Sequence, residues 1–193
     1  ALADLSDGSK LALSVAVVIL NLSCVLSFDT ELKIFASLSK DTGDENSAYA
    51  NGGKTTPWML ETLKKFYADG NQADVVFIYG GANDSFGNAK LENILKNIQA
   101  MVDLVRSNSG VPIVISGFNY EKAVKPKVAR SYDVGINRYR QLQKLIESEI
   151  KNADVVTTWD EVDATTTGGD GFHLPASKQK LFANYVSKKI LKA

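Results

Sequence analysis

Asp170 and His173 stand three residues apart in the run D-G-F-H, and His173 is the only histidine of the chain. In one tight turn the carboxylate can fold back onto the imidazole. There it holds the ring's tautomer and stabilises the imidazolium that forms when the ring takes a proton. Any imidazole chemistry must use this one residue, and a histidine-based metal cluster is impossible. The plainer alternative is a surface turn ahead of Leu174-Pro175 that only leads into the last helix. A second polar pair, Asn83-Asp84, follows Gly80-Gly81 in the stretch A-D-V-V-F-I-Y-G-G-A-N-D-S-F. Its plain alternative is a Gly-Asn-Asp turn, ordinary punctuation after a strand.

These residues need elements to position them. Val75 to Tyr79 is a β-branched and aromatic run, the pattern of a strand buried on both faces in a parallel sheet. Further strands are expected at 15–20, 47–51, 111–116 and 153–157. Helices are expected between them. Asp29 or Thr30 can cap one over Glu31 to Ser39. Thr56-Pro57 reads as another start, with threonine as cap and proline at the first helical position, and Gly70 as its stop. Leu91, Ile94, Leu95, Ile98, Met101, Val102 and Val105 recur at spacings of three and four, the clearest amphipathic helix in the chain. After a polar loop from Gly117 to Arg130, a fourth helix points Tyr132, Ile136, Tyr139, Leu142, Leu145, Ile146 and Ile150 inward. The last, from about Ala176 to Leu191, is expected to bury Leu181, Tyr185, Val186 and Ile190.

Alternating strands and helices imply an α/β fold, a three-layer α/β/α sandwich around a five-stranded parallel sheet in the order 2-1-3-4-5. The length of 193 residues suits one domain over 1–193, with 1–14 as an N-terminal extension or short capping element. Leu11 to Phe28 is nearly continuous apolar sequence. It reads as a core strand ending at Asn21-Leu22-Ser23, or as a signal or anchor segment, so the compartment stays open.

Composition narrows the function. The 22 basic residues balance 22 acidic ones, so there is no basic surplus for nucleic acid. The single cysteine, Cys24, excludes an intrachain disulfide and a Cys-rich metal site.

In a doubly wound sheet the loops at the carboxyl ends of the strands share one rim, where ligands bind. Ser23 follows the first strand, Gly53 the second, Gly81 and Asn83 the third, and Asp170 and His173 the fifth. A hydrolase needs a nucleophile, a base, a group to orient the base, and donors for an oxyanion, and this set can supply each.

The chain resembles the SGNH (GDSL-type) hydrolases, a family of esterases, lipases, acetylesterases and thioesterases. Its Gly-x-Asn-Asp block matches Gly81-Ala82-Asn83-Asp84, and its Asp-x-x-His block matches Asp170-Gly171-Phe172-His173. The glycine block after the second strand matches Gly53 less sharply. The departure is the first block, because Gly-Asp-Ser occurs nowhere in the chain. The best alignment places Ser23 on the nucleophile, with Asn21 and Leu22 in place of the usual Gly and Asp. Ser9, in D-G-S, has almost no strand before it, and Ser37 or Ser39 leaves too little chain before Gly53.

The resemblance implies a serine esterase for small acyl esters, acetylated sugars included. Catalysis would fall to Ser23, His173 and Asp170. The oxyanion hole would be the Asn83 side chain with the backbone N–H groups of Gly53 and Ser23. Asp84 would be a structural turn residue. No metal or organic cofactor is implied, and the expected partner is a small-molecule or carbohydrate ester, with no nucleic acid and no stable membrane insertion. Two other readings share the sheet. One is a catalytically degenerate module that binds carbohydrate or a protein. The other is a flavodoxin-like nucleotide or flavin binder; against it, this chain has no phosphate-cradling glycine loop opening a helix near the first strand.

Overall fold

The structure, a computed structural model, describes residues 16–20, 46–50, 53–119, 130–162 and 174–191. In chain order the strands are β1 (Ala16–Leu20), β2 (Asn46–Ala50), β3 (Val75–Tyr79), β4 (Val111–Ile115) and β5 (Asp154–Val156). The helices are α1 (Thr56–Ala68), α2 (Ala82–Phe86), α3 (Leu91–Ser107), α4 (Arg130–Glu149) and α5 (Ala176–Leu191). The helix expected over Glu31 to Ser39 lies outside the described residues.

Strands β3, β4 and β5 form a parallel sheet, with Val75 opposite Val111 and Ile113 opposite Asp154. On its other side β3 pairs with β1, and β1 with β2, both parallel; of these two strands the backbone pairing alone is described. Every residue of β3 is buried. An apolar strand covered on both faces belongs at the centre of a parallel sheet, as its unbroken run of Val, Phe, Ile and Tyr requires. Ring packing marks one face, where Tyr79 meets Phe182 of α5 at 6.2 Å between centroids.

Two parallel crossovers, β3–α3–β4 and β4–α4–β5, put their helices on the same face when both are right-handed. Consistently, α3 packs against α4, and also against α1. The inward stripe of α3 consists of Ile94, Ile98, Met101, Val102 and Val105, all buried. From α4 the core takes Ile136, Tyr139, Leu142, Ile146 and Ile150. Each large aliphatic side chain buried in this way contributes about 1.5–3 kcal/mol relative to an exposed one.

The last helix corrects the sequence reading. Leu181 is 45% exposed, and its neighbour Phe182 is fully buried. Phe182 sits among the rings of Tyr79, Phe118 and Trp159, at centroid distances of 6.2, 6.2 and 5.7 Å. An aromatic slot of that size takes the ring and turns the leucine outward. Tyr185 is half-buried, while Val186 and Ile190 are buried as expected.

The polar loop expected to begin at Gly117 starts later. Strand β4 stops at Ile115, yet its pairing with the chain beyond β5 resumes as a parallel bridge between Phe118 and Trp159. The break is Gly117, at φ +98, in the left-handed region that favours glycine. A Cβ there would lie 2.9 Å from Gln143 Nε2 and 3.0 Å from the Tyr139 hydroxyl.

Candidate active site

The loop after β3 is not an open turn. Gly81, at φ +95, turns the chain sharply, and residues 82–86 then wind into the short helix α2. A Cβ on Gly81 would come within 2.4 Å of Leu142 Cδ2, so close packing on α4 and the backbone angle both call for glycine. Ser85 folds back on Gly81, donating from its N–H at 3.0 Å and its hydroxyl at 2.8 Å to the same carbonyl. Arg138 of α4 donates to the carbonyls of Ser85 and Ala89 at the other end of the loop. Phe86 packs over Gly135, where a Cβ would fall 2.4 Å from the ring.

This anchoring fixes Asn83 and Asp84. Asn83, half-buried, donates from Nδ2 to the carbonyl of Lys54 at 2.9 Å. Lys54 follows Gly53, an exposed turn residue at φ +78. The loops after β2 and β3 are therefore joined at the rim, and Gly53 and Asn83 are brought together.

Asp84, by contrast, is buried at 3% exposure. Both its carboxylate oxygens accept the backbone N–H of Thr56 at 3.0 Å, and Oδ1 accepts the Thr56 hydroxyl at 2.7 Å. Thr56 Oγ1 in turn accepts from Asn97 Nδ2 of α3 at 3.1 Å. Burial raises the Asp84 carboxyl above its ordinary range, and the hydrogen bonds from Thr56 pull the other way. Asp84 thus has a structural place, but in a helix rather than a turn.

The cap of α1 also differs from the sequence reading. Thr55, not Thr56, is the N-cap; its carbonyl accepts from Met59, and its side chain makes no cap bond. Thr56 is the first helical residue, with Pro57 after it. The free N–H end of the helix is met instead by the Asp84 carboxylate, which also suits the positive end of the helix dipole.

Beyond β4 and β5 lies a polar cleft of about 220 Å3 between α4 and residues 157–160. Glu147 organises one wall, accepting from Ser116 Oγ at 2.8 Å, Thr158 N at 2.9 Å and Thr158 Oγ1 at 2.7 Å. Sequence reading missed Asp84 as a cap, Gln143 and Glu147, because each acts across a long sequence separation. Ser23, Asp170 and His173 lie outside the described residues, as do the alternatives Ser9, Ser37 and Ser39. Leu174, directly after His173, is 2% exposed, and its carbonyl accepts from Gln179 Nε2 at 3.0 Å. Among the described residues no acidic or sulfur–nitrogen cluster could hold a metal ion, and no helix is long and apolar enough to cross a membrane.

The parallel sheet thus carries Gly-x-Asn-Asp, Gly81 to Asp84, just after its buried strand β3. The GDSL-like Lipase/Acylhydrolase family model matches residues 31–177, and the chain belongs to that family. The match includes Gly53, Asn83, Asp170 and His173 and begins after Ser23. No curated protein sequence matches the chain.

Several solved structures share the fold. A GDSL-like lipase from Bacteroides thetaiotaomicron is similar at a TM-score of 0.62 and 15% identity, over 99% of this chain and 94% of that one. The psychrotrophic esterase EstA from Pseudoalteromonas gives 0.63 and 15%, over 93% and 97%. The acetylxylan esterase Axe2 from Geobacillus stearothermophilus gives 0.63 and 12%, over 92% and 93%.

Proposed function

We propose that the protein is a serine esterase acting on small acyl esters. In this reading Ser23 Oγ attacks the ester carbonyl while His173 takes its proton, with Asp170 orienting the ring and stabilising the imidazolium. The tetrahedral oxyanion is met by the Asn83 carboxamide and the backbone N–H groups of Gly53 and Ser23. His173 then protonates the leaving alkoxide, and water attacks the acyl-serine by the same route in reverse. The architecture that goes with it is one domain, a three-layer sandwich on five parallel strands in the order 2-1-3-4-5.

The observation that carries the proposal is the hydrogen bond from Asn83 Nδ2 to the Lys54 carbonyl. It joins the two loops that would each supply an oxyanion donor. The fold shared with an acetylxylan esterase directs the first substrate tests to acetylated xylo-oligosaccharides, beside p-nitrophenyl acetate.

A serine-directed fluorophosphonate is the test. The expected result is stoichiometric labelling, mapped by mass spectrometry to the peptide holding Ser23. A label on Ser9, Ser37 or Ser39 moves the nucleophile and keeps the class. A folded protein that neither labels nor hydrolyses esters ends the enzyme reading. The second reading, a binding module, is favoured by one feature: the family's Gly-Asp-Ser occurs nowhere in the chain, and Ser23, the best-aligned serine, lies ahead of the matched span.

A further inference from the structure

We infer that Asp84 and Thr56 are positioning residues for the oxyanion donors, an inference that rests on the esterase reading above. The loop after β2 carries Gly53 and runs straight into α1 at Thr56, only three residues later. The loop after β3 carries Asn83, whose chain neighbour is Asp84. The Asp84–Thr56 contact therefore fixes the distance between these two segments one residue away from Asn83.

The contact suits that task. A carboxylate receiving an N–H and an O–H from one residue is set in both distance and direction, and charged acceptors make the stronger hydrogen bonds. Thr56 is fully buried, so no water competes for the site. Asn97 holds the hydroxyl from the far side, leaving Thr56 Oγ1 to donate towards Asp84. A second bond between the loops, Asn83 to the Lys54 carbonyl, uses the same carboxamide that would serve the oxyanion. The Asp84–Thr56 contact ties the loops through groups that the reaction does not use.

A positioning role differs from a plain helix cap in what it moves. Misplacing a preorganised donor by about an ångström costs on the order of 10²-fold in rate, whereas a lost cap costs stability alone. Thr56→Val keeps the β-branched shape and the backbone N–H but removes the hydroxyl. Its expected effect is a fall in kcat of roughly tenfold to a hundredfold with KM little changed. Thr56→Ser restores the hydroxyl and should recover most of the loss. Asp84→Asn should lower kcat in the same way, and Thr56→Val keeps the test open if that variant does not fold.

Amide hydrogen exchange over residues 53–56 gives a readout that needs no turnover. Faster exchange there in folded Thr56→Val, together with the kcat loss, supports the inference. Where the wild type labels with fluorophosphonate, unchanged exchange in Thr56→Val, or faster exchange with its kcat intact, overturns the inference and leaves the esterase reading standing. A wild type that neither labels nor turns over overturns both.

Discussion

The carboxamide of Gln143 straddles Gly117, donating from Nε2 to the carbonyl of Ser116 at 2.7 Å and to that of Phe118 at 2.8 Å. The kink that ends β4 is thereby held by a side chain from α4. Gln143→Leu takes a hydrogen bond from each of two buried carbonyls. Leaving such groups unpaired costs about 1–3 kcal/mol each. The variant is expected to lose about 2–6 kcal/mol of unfolding free energy by urea titration. An unchanged urea midpoint would show that the kink holds itself.

Tyr67, half-buried at the end of α1, has a hydroxyl with no hydrogen-bond partner among the described residues, and burial pushes its pKa up to about 12. The folded value lies above the unfolded one of 10.0. The wild type therefore keeps this contribution below pH 10.0 and loses it as pH rises towards about 12. Tyr67→Phe has nothing to ionise there. It should match or exceed the wild-type thermal midpoint at pH 7, and its advantage should widen above pH 10.0. A constant difference across that range would contradict the assignment.

Asn83→Ala removes the proposed side-chain donor to the oxyanion. Its effect should fall on kcat, by on the order of 10²-fold, with little change in KM, because the bond strengthens mainly in the transition state. Steady-state kinetics on p-nitrophenyl acetate decides it. A change confined to KM would make Asn83 a substrate-binding residue instead.

His173→Ala should abolish hydrolysis, since no second histidine can replace the base. Asp170→Asn should lower kcat while the protein stays folded by circular dichroism. If both residues only shape the turn before α5, the two variants would lose stability and keep full turnover per folded molecule.

The fold was most legible where burial is continuous. Val75 to Tyr79 and the stripe of α3 matched their expected spans because an unbroken apolar run and a 3.6-residue period each have few other uses. Helix α2 was invisible, since five residues are too few for a period and Gly-Gly-Ala-Asn-Asp has the composition of a turn. The tandem Thr55-Thr56 left the cap ambiguous by one position. Its actual partner, Asp84, lies 28 residues away, beyond any local signature. Leu181 and Phe182 are adjacent apolar residues, and only the shape of the slot between Tyr79, Phe118 and Trp159 chooses between them. Asn83 and Gly53 were legible as neighbours through the fold rather than through their spacing, which says nothing of the Lys54 carbonyl between them.

The seat of Phe182 also bears on how the chain is made. Its three ring partners come from the ends of three different strands, so the slot exists only once those strands lie side by side. Translation delivers Phe182 after all of them. Until that residue leaves the ribosome, the growing chain exposes an open aromatic socket. The socket closes only when the chain's own last helix, the final element of the described sheet-and-helix order, is delivered.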